Sequence, residues 1–363
     1  MRFQLIGGFL GAGKTTTLAR LARWYQQQGL RVGLVTNDQA ADLVDTHMLR
    51  AQGFTVSEVA GACFCCKFND LMETVQQLDQ RLRPDLILAE PVGSCTDLVS
   101  TVLQPLKHFY NVRFRVAPYA VLLKPHHGLK ILRGETNAGF SPKAAYILRK
   151  QLEEADVIVI NRIDELTHSQ LHELEELIRH TYPATPVLRM SARTGVGFEA
   201  LAEFLQQEGD FGRKVLDIDY DTYAEGEAEL GWMNSTANVV SEHEFWLDEV
   251  LLGWVSGMRE RLQAAGWEAA HCKAIGLWEG FYGVANLVAN GLQPELSLAS
   301  RSRVTSADIV LNARVACDPA DLQRLAEESL QDVAQQLGLT VRSAKTQSFR
   351  PGRPQPTFRL QPA

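Results

Sequence analysis

The chain reads as an α/β domain with a mainly parallel sheet, followed by a smaller α+β domain. Three observations predict this. Short β-branched runs alternate with helical patterns through the first half, a glycine-rich loop joins the first strand to the first helix, and the second half runs strand, helix, strand, strand, helix, strand. The 363 residues suit two domains of about 150 each.

Phe3–Ile6 is the first strand, and Lys14–Gln28 is a helix stopped by Gly29. Val32–Thr36 is the second strand, and Asn69–Leu82 is a helix that ends before Pro84. Leu86–Ala89 and Val116–Leu123 follow as buried strands. Ser141-Pro142 opens a helix through Glu154, with proline at a favoured first-turn position. Val157–Ile160 and Val187–Met190 complete the sheet. Fully apolar strands of this kind fit a sheet covered on both faces. Phe211–Gly231 is an acidic, weakly patterned connector. Beyond it come Ser235–Val240 (strand), Glu244–Ala264 (helix), His271–Leu277 and Asp308–Cys317 (strands), Pro319–Leu337 (helix) and Thr340–Thr346 (strand), with 279–305 as an insertion. That βαββαβ order is ferredoxin-like. The expected division is an α/β domain over 1–212, a linker over 213–231, an α+β domain over 232–348 and a Pro-rich, weakly ordered tail over 349–363.

The 36 basic and 43 acidic side chains leave a net charge of −7, which lacks the basic footprint of a nucleic-acid or anionic-membrane binder. Apolar content of 45% argues against disorder, and no apolar run approaches a membrane span. A glycine-rich motif begins at Gly7 and leaves no room for a secretory signal, so a cytoplasmic protein with reduced thiols is expected.

Gly8-Phe9-Leu10-Gly11-Ala12-Gly13-Lys14-Thr15 fits the P-loop pattern G-x-x-x-x-G-K-[ST], with an apolar strand before it and a helix after it. Glycines let the backbone wrap phosphate oxygens, and the helix N-terminus adds its dipole. Lys14 is expected at the β- and γ-phosphates and the Thr15 hydroxyl on Mg²⁺; Gly8, Gly11, Ala12, Gly13 and Thr16 complete the phosphate cradle. The plainer alternative is a Gly-rich turn without ligand.

Asn161-Arg162-Ile163-Asp164 directly follows a strand, where GTPases carry N-K-x-D. An aspartate there accepts hydrogen bonds from guanine N1 and N2, a pair adenine cannot supply. Ser191-Ala192-Arg193, after the next strand, would close over the base. The alternative for Asn161 and Asp164 is a polar turn with a helix cap.

Asp38 follows the second strand, with Asp42 and Asp45 beyond it; Glu90 follows the third, with Gly93 beyond it. Carboxylates at the carboxyl ends of parallel strands sit where Mg²⁺ and the γ-phosphate are reported, and Gly93 could offer its N–H to that phosphate. Asp38 and Glu90 are the stronger Mg²⁺ candidates, whereas Asp42 and Asp45 read equally well as solvated acids. Glu90 and Asp38 are also the candidates for orienting the hydrolytic water.

Three of six cysteines, Cys63, Cys65 and Cys66, fall within four residues. Clustered thiols in a reducing compartment point to metal ligands or redox groups rather than disulfides, and as ligands they suit a transition metal. C-x-C-C is not a zinc-finger spacing, and no second pair completes four ligands nearby, which suggests an open site. Cys95, Cys272 and Cys317 read as scattered, and His126-His127 as an exposed loop pair.

P-loop, C-x-C-C, E-x-x-G and N-R-x-D in this order resemble the CobW-type metallochaperone GTPases, relatives of the nickel-delivery GTPases of hydrogenase and urease maturation. Glu90–Asp97 (EPVGSCTD) and Asp219–Asn234 look like the subgroup related to nitrile-hydratase activators. The first switch departs from the family's N-E-F-G-E, reading Asn37-Asp38-Gln39-Ala40-Ala41. The resemblance implies a GTP/GDP cycle with Mg²⁺, in which the thiolates hold a metal ion, zinc first and otherwise cobalt or iron, for delivery to a client metalloprotein. No nucleic-acid or membrane partner is expected, and a homodimer is compatible with such a chain. Two other readings stay open: a regulatory GTPase with a structural zinc, and a P-loop ATPase or kinase with structural cysteines.

Overall fold

The computed structural model describes residues 1–38, 44–135, 140–278 and 281–362. They form two compact units, Met1–Gly226 with Arg353–Ala363, and Glu227–Gly352.

The first unit contains β1 (Arg2–Gly8), α1 (Lys14–Gln27), β2 (Val32–Asp38), α2 (Val44–Ala51), β3 (Val56–Ala60), α3 (Phe68–Leu82) and β4 (Leu86–Glu90). A π-turn over Val99–Leu103 leads into α4 (Gln104–Tyr110), then β5 (Arg115–Val116), β6 (Ala120–Leu123), α5 (Pro125–Arg133), α6 (Pro142–Glu153), β7 (Val157–Ile160), α7 (His168–Thr181), β8 (Val187–Arg189), α8 (Phe198–Leu205) and all but the last two residues of α9 (Tyr220–Ala228). The strands pair in parallel in the order β3-β2-β4-β1-β6-β7-β8, with β5 beside the start of β1. β1 has β4 on one side and β6 on the other, so the direction of winding reverses there and opens a crevice at the strands' carboxyl ends. Thr36 stands opposite Glu90 in register, which carries Asn37 and Asp38 past the end of β4. Ile6, Leu34, Leu88, Leu122 and Val159 bury one sheet face against Leu18, Leu21, Leu201 and Leu205 of α1 and α8. Ser141 caps α6 through the Lys143 and Ala144 N–H groups, and Thr167 with Gln170 forms a capping box on α7, contacts of about 1 kcal/mol each.

The second unit holds β9 (Gly231–Trp246), α10 (Leu247–Ala265), β10 (Ala269–Trp278), β11 (Phe281–Leu287), β12 (Glu295–Leu298), β13 (Arg303–Val315), α11 (Pro319–Leu337) and β14 (Thr340–Phe349). Its antiparallel sheet runs β12-β11-β10-β13-β9-β14. The four strands β10-β13-β9-β14 keep the ferredoxin-like order expected from βαββαβ. Both helices bury one stripe, with Leu251, Trp254, Val255 and Met258 from α10 and Leu322, Leu325 and Leu330 from α11. The Trp254 indole donates to the Ala326 carbonyl at 3.0 Å, which satisfies the only polar atom of a fully buried ring.

Several expectations need correction. The strand expected over Val116–Leu123 breaks at 117–119, where Pro118 cannot donate to a ladder. β3, paired in parallel with β2, is a strand that the sequence pattern does not mark. The linker over 213–231 contains α9, held by the Tyr220 hydroxyl on Asp97 (2.7 Å) and by buried Tyr223. Part of the insertion over 279–305 is a β11–β12 hairpin against β10. His126 and His127 begin α5 rather than a loop, and His127 is fully buried against Phe140. The tail is irregular but not loose. Arg353 pairs with Asp221, Arg359 with Asp97, and the Leu360 N–H donates to Ser100 O. Among the described residues, no helix is long and apolar enough to cross a membrane.

Candidate functional site

The chain turns from β1 into α1 through three left-handed glycines, Gly8 (φ 134°), Gly11 (φ 73°) and Gly13 (φ 90°). At Gly13 a Cβ would stand 2.4 Å from Asn161 Nδ2, so both the backbone angle and the close approach demand glycine. Buried Lys14 donates from Nζ to the Gly8 carbonyl at 3.0 Å, which folds its ammonium back over the loop. The Thr15 hydroxyl lies 2.9 Å from an Asp45 oxygen and 3.0 Å from a Glu90 oxygen. Its single proton has two carboxylates to choose from, and the three groups form a hard-oxygen set that suits Mg²⁺. Thr16 is exposed on the next position of α1. Asp38 ends β2, its carbonyl accepting from Gly61 N–H at 3.1 Å. Asp45, read equally as a solvated acid, meets Thr15 because α2 turns its first residues toward the P-loop. Asp42 lies outside the described residues. Gly93 packs on the P-loop, where an added Cβ would come within 2.7 Å of Leu10.

Asn161 joins two loops. Its amide donates to Ala12 O at 2.7 Å, and its carbonyl oxygen accepts from Ala192 N–H at 2.8 Å. Arg20 of α1 reaches the Ala192 and Arg193 carbonyls and fixes the same loop from the other side. Asp164 faces that loop and pairs with Arg193. Burial pushes its carboxyl up, but the Ser191 hydroxyl and the Arg193 guanidinium outweigh this and hold it below its ordinary value. Asp164 is therefore an ionised acceptor at the mouth of a loop that can close over a base. Arg162 turns away in a left-handed conformation (φ 62°) and pairs with Glu165.

The thiols cluster tightly. Cys63 and Cys65 sulfurs are 2.8 Å apart, Cys63 and Cys66 are 3.3 Å apart, and Cys65 and Cys66 are 3.7 Å apart. Cys63 and Cys65 are buried and Cys66 is half-buried. The loop is held by Asn37 at the end of β2. Its amide donates to Val59 O and Ala62 O, and its oxygen accepts from Phe64 N–H, all at 2.8 Å. Hydrogen bonds from the Cys65 and Cys66 thiols draw the Cys63 thiol well below its ordinary range, while Cys65 is pushed up and Cys66 reaches about 11.

Two partners of this cluster were missed. Cys95, read as scattered, is buried with its thiol paired to those of Cys63 and Cys65, beside the three motif sulfurs that lie within 4.8 Å of one another. The tail also crosses the motif. Gln355 N–H donates to the Cys66 sulfur at 3.2 Å, Thr357 N–H to Cys65 O at 2.8 Å, and the Thr357 hydroxyl to Cys66 O at 2.9 Å. Neither contact follows a local spacing, so a motif search along the chain does not find them.

A parallel α/β sheet, a lysine-bearing glycine loop at its crevice and an acid opposite the loop define a P-loop nucleotide-binding protein. Residues 3–189 match the family model described as CobW/HypB/UreG, nucleotide-binding domain, and the chain belongs to that family. It is 22% identical over 214 residues to zinc-regulated GTPase metalloprotein activator 1 of Dictyostelium discoideum, covering 51% of this chain and 45% of that protein. It is 27% identical over 169 residues to the zinc chaperone YeiR of Escherichia coli (strain K12), covering 46% and 48%. The chain thus spans about half the length of these curated relatives. Among solved structures, the Zn(II)-bound YjiA GTPase from E. coli aligns over 91% of this chain and 98% of its own at 14% identity, with a TM-score of 0.38.

Proposed function

We propose that the protein binds and hydrolyses GTP and uses that cycle to hold and release a transition-metal ion, zinc in the first instance, for a client metalloprotein. One observation carries the reading: the segments that serve the nucleotide also hold the thiols. Asn37, beside the β2 end that bears Asp38, fixes the Cys63–Cys66 loop, and the loop after Glu90 carries Gly93 and then Cys95. A γ-phosphate that orders these segments also orders the sulfurs.

In this reading Lys14 leaves the Gly8 carbonyl for the β- and γ-phosphate oxygens, and the Gly93 N–H meets the γ-phosphate. Thr15, Glu90 and Asp45 would hold Mg²⁺, which supplies charge neutralisation at the phosphate oxygens when bound. Asp38 or Glu90 orients the attacking water. Asp164 accepts from guanine N1 and N2, and Ser191, Ala192 and Arg193 close over the base beside Asn161.

The base assignment predicts that Asp164→Asn weakens GTP about 10- to 100-fold, the loss of a charge-assisted hydrogen bond of about 1.5–3 kcal/mol, and favours xanthosine triphosphate, whose 2-oxo group accepts from the new amide. Competition binding with the three nucleotides checks this; native protein that binds ATP as tightly as GTP overturns it. The metal cycle predicts zinc binding about 5- to 150-fold tighter with Mg²⁺–GTP than with Mg²⁺–GDP, a coupling of about 1–3 kcal/mol. Titration against a chromogenic chelator in both nucleotide states reads this directly, and equal affinities reduce the metal to a static one.

A further inference from the structure

Cys95 is held as firmly as the motif it touches. Its N–H donates to Val92 O at 3.0 Å, and its carbonyl accepts from the buried Gln151 amide at 2.8 Å. The same Gln151 nitrogen donates to Gly93 O at 3.0 Å, tying both residues of the turn to α6. Two positions on, fully buried Asp97 accepts from the Tyr220 hydroxyl at 2.7 Å and from Arg359 at 2.8 Å. These bonds fix the resting position of the loop after β4, in which the Cys95 thiol meets those of Cys63 and Cys65.

We infer that the transition-metal site is a four-sulfur site, with Cys95 supplying the fourth ligand beside Cys63, Cys65 and Cys66. The inference rests on the metal-handling reading and deepens it. A tetrahedral ion held by three thiolates keeps one position for water; a fourth sulfur closes it. Here the closing sulfur comes from the buried side, since Cys63, Cys65 and Cys95 are all enclosed and only Cys66 reaches toward the surface. The fourth ligand is also the one attached to the nucleotide machinery, two residues after Gly93 in the loop that follows Glu90. Movement of that loop on loss of the γ-phosphate withdraws one sulfur of four. Loss of that sulfur would leave the ion with three thiolates and an open position for a client's ligand.

The test loads reduced full-length protein with zinc or cobalt(II) in the presence of Mg²⁺ and a non-hydrolysable GTP analogue. X-ray absorption of the zinc form should count four sulfurs at about 2.3 Å. Cys95→Ser should give three sulfurs and one lighter ligand, shift the cobalt d–d bands accordingly, and weaken zinc about 100-fold or more, roughly the loss of a quarter of the binding free energy of a structural zinc site. A wild-type count of three sulfurs, or a cobalt spectrum that Cys95→Ser leaves unchanged, overturns the inference. Should Cys95→Ser and Cys95→Ala both lose the wild-type circular dichroism, the wild-type sulfur count decides alone. Wild-type protein that binds the nucleotide but takes up neither metal defeats the metal-handling reading itself.

Discussion

Lys14→Ala should abolish GTP turnover, lowering it by about 100-fold or more, because the ammonium is the one side-chain cation in the loop that can follow charge onto the β- and γ-phosphate oxygens. The fold should survive. In the structure the ammonium donates to the Gly8 carbonyl of its own loop, and the helix that follows is fixed by Leu18, Leu21 and Ala22 in the core. Phosphate release by a purified preparation, followed alongside thermal melting, separates the two effects. Retained turnover with an unchanged melt would place the chemistry elsewhere in the molecule.

Replacing Cys65 and Cys66 together by serine should remove tight metal binding, a fall of about 1,000-fold or more, since two of the softest donors are exchanged for hydroxyls that zinc holds poorly. Serine is close in size to cysteine, and the turn they sit in is made by backbone. Cys66 N–H and Lys67 N–H both donate to Cys63 O at 3.0 Å, and Asn37 holds the neighbouring peptides. Chelator competition reads the loss. Undiminished zinc affinity would show that the ion sits on other residues.

The parts of the site that are contiguous in the chain were legible before any coordinates. Gly8–Thr15 declares itself because one short backbone loop must do the whole job, and Asn161 and Asp164 sit three apart on one turn. The antiparallel domain was legible for a similar reason, its two long helices and apolar strands having clear periods. What stayed hidden depends on tertiary placement. Asp45 reads from composition as one more solvated loop acid, and only the docking of α2 brings it to Thr15. Cys95 has no spacing to the C-x-C-C motif that would mark it; a parallel strand crossover brings the two together. β3 is short and alternates weakly, and its pairing with β2 defines it better than its residues do. The Pro-rich tail lacks any hydrophobic period, yet backbone hydrogen bonds and the edge of Phe358 on Phe68, at 5.5 Å, hold it in place.

That tail makes the first unit a discontinuous body, its two stretches separated in the chain by the whole antiparallel domain. Cutting the protein after Gly226 to obtain a simple nucleotide-binding fragment would therefore strip the cover from Cys66 and remove the N–H that dresses its sulfur. The remaining thiols stand close enough to be bridged by an oxidant, and the least enclosed of them would be left bare to oxygen and peroxide. Air-handled fragments should accumulate disulfide or sulfenic acid at the motif, while the intact chain, with Gln355 and Thr357 in place, resists the same treatment.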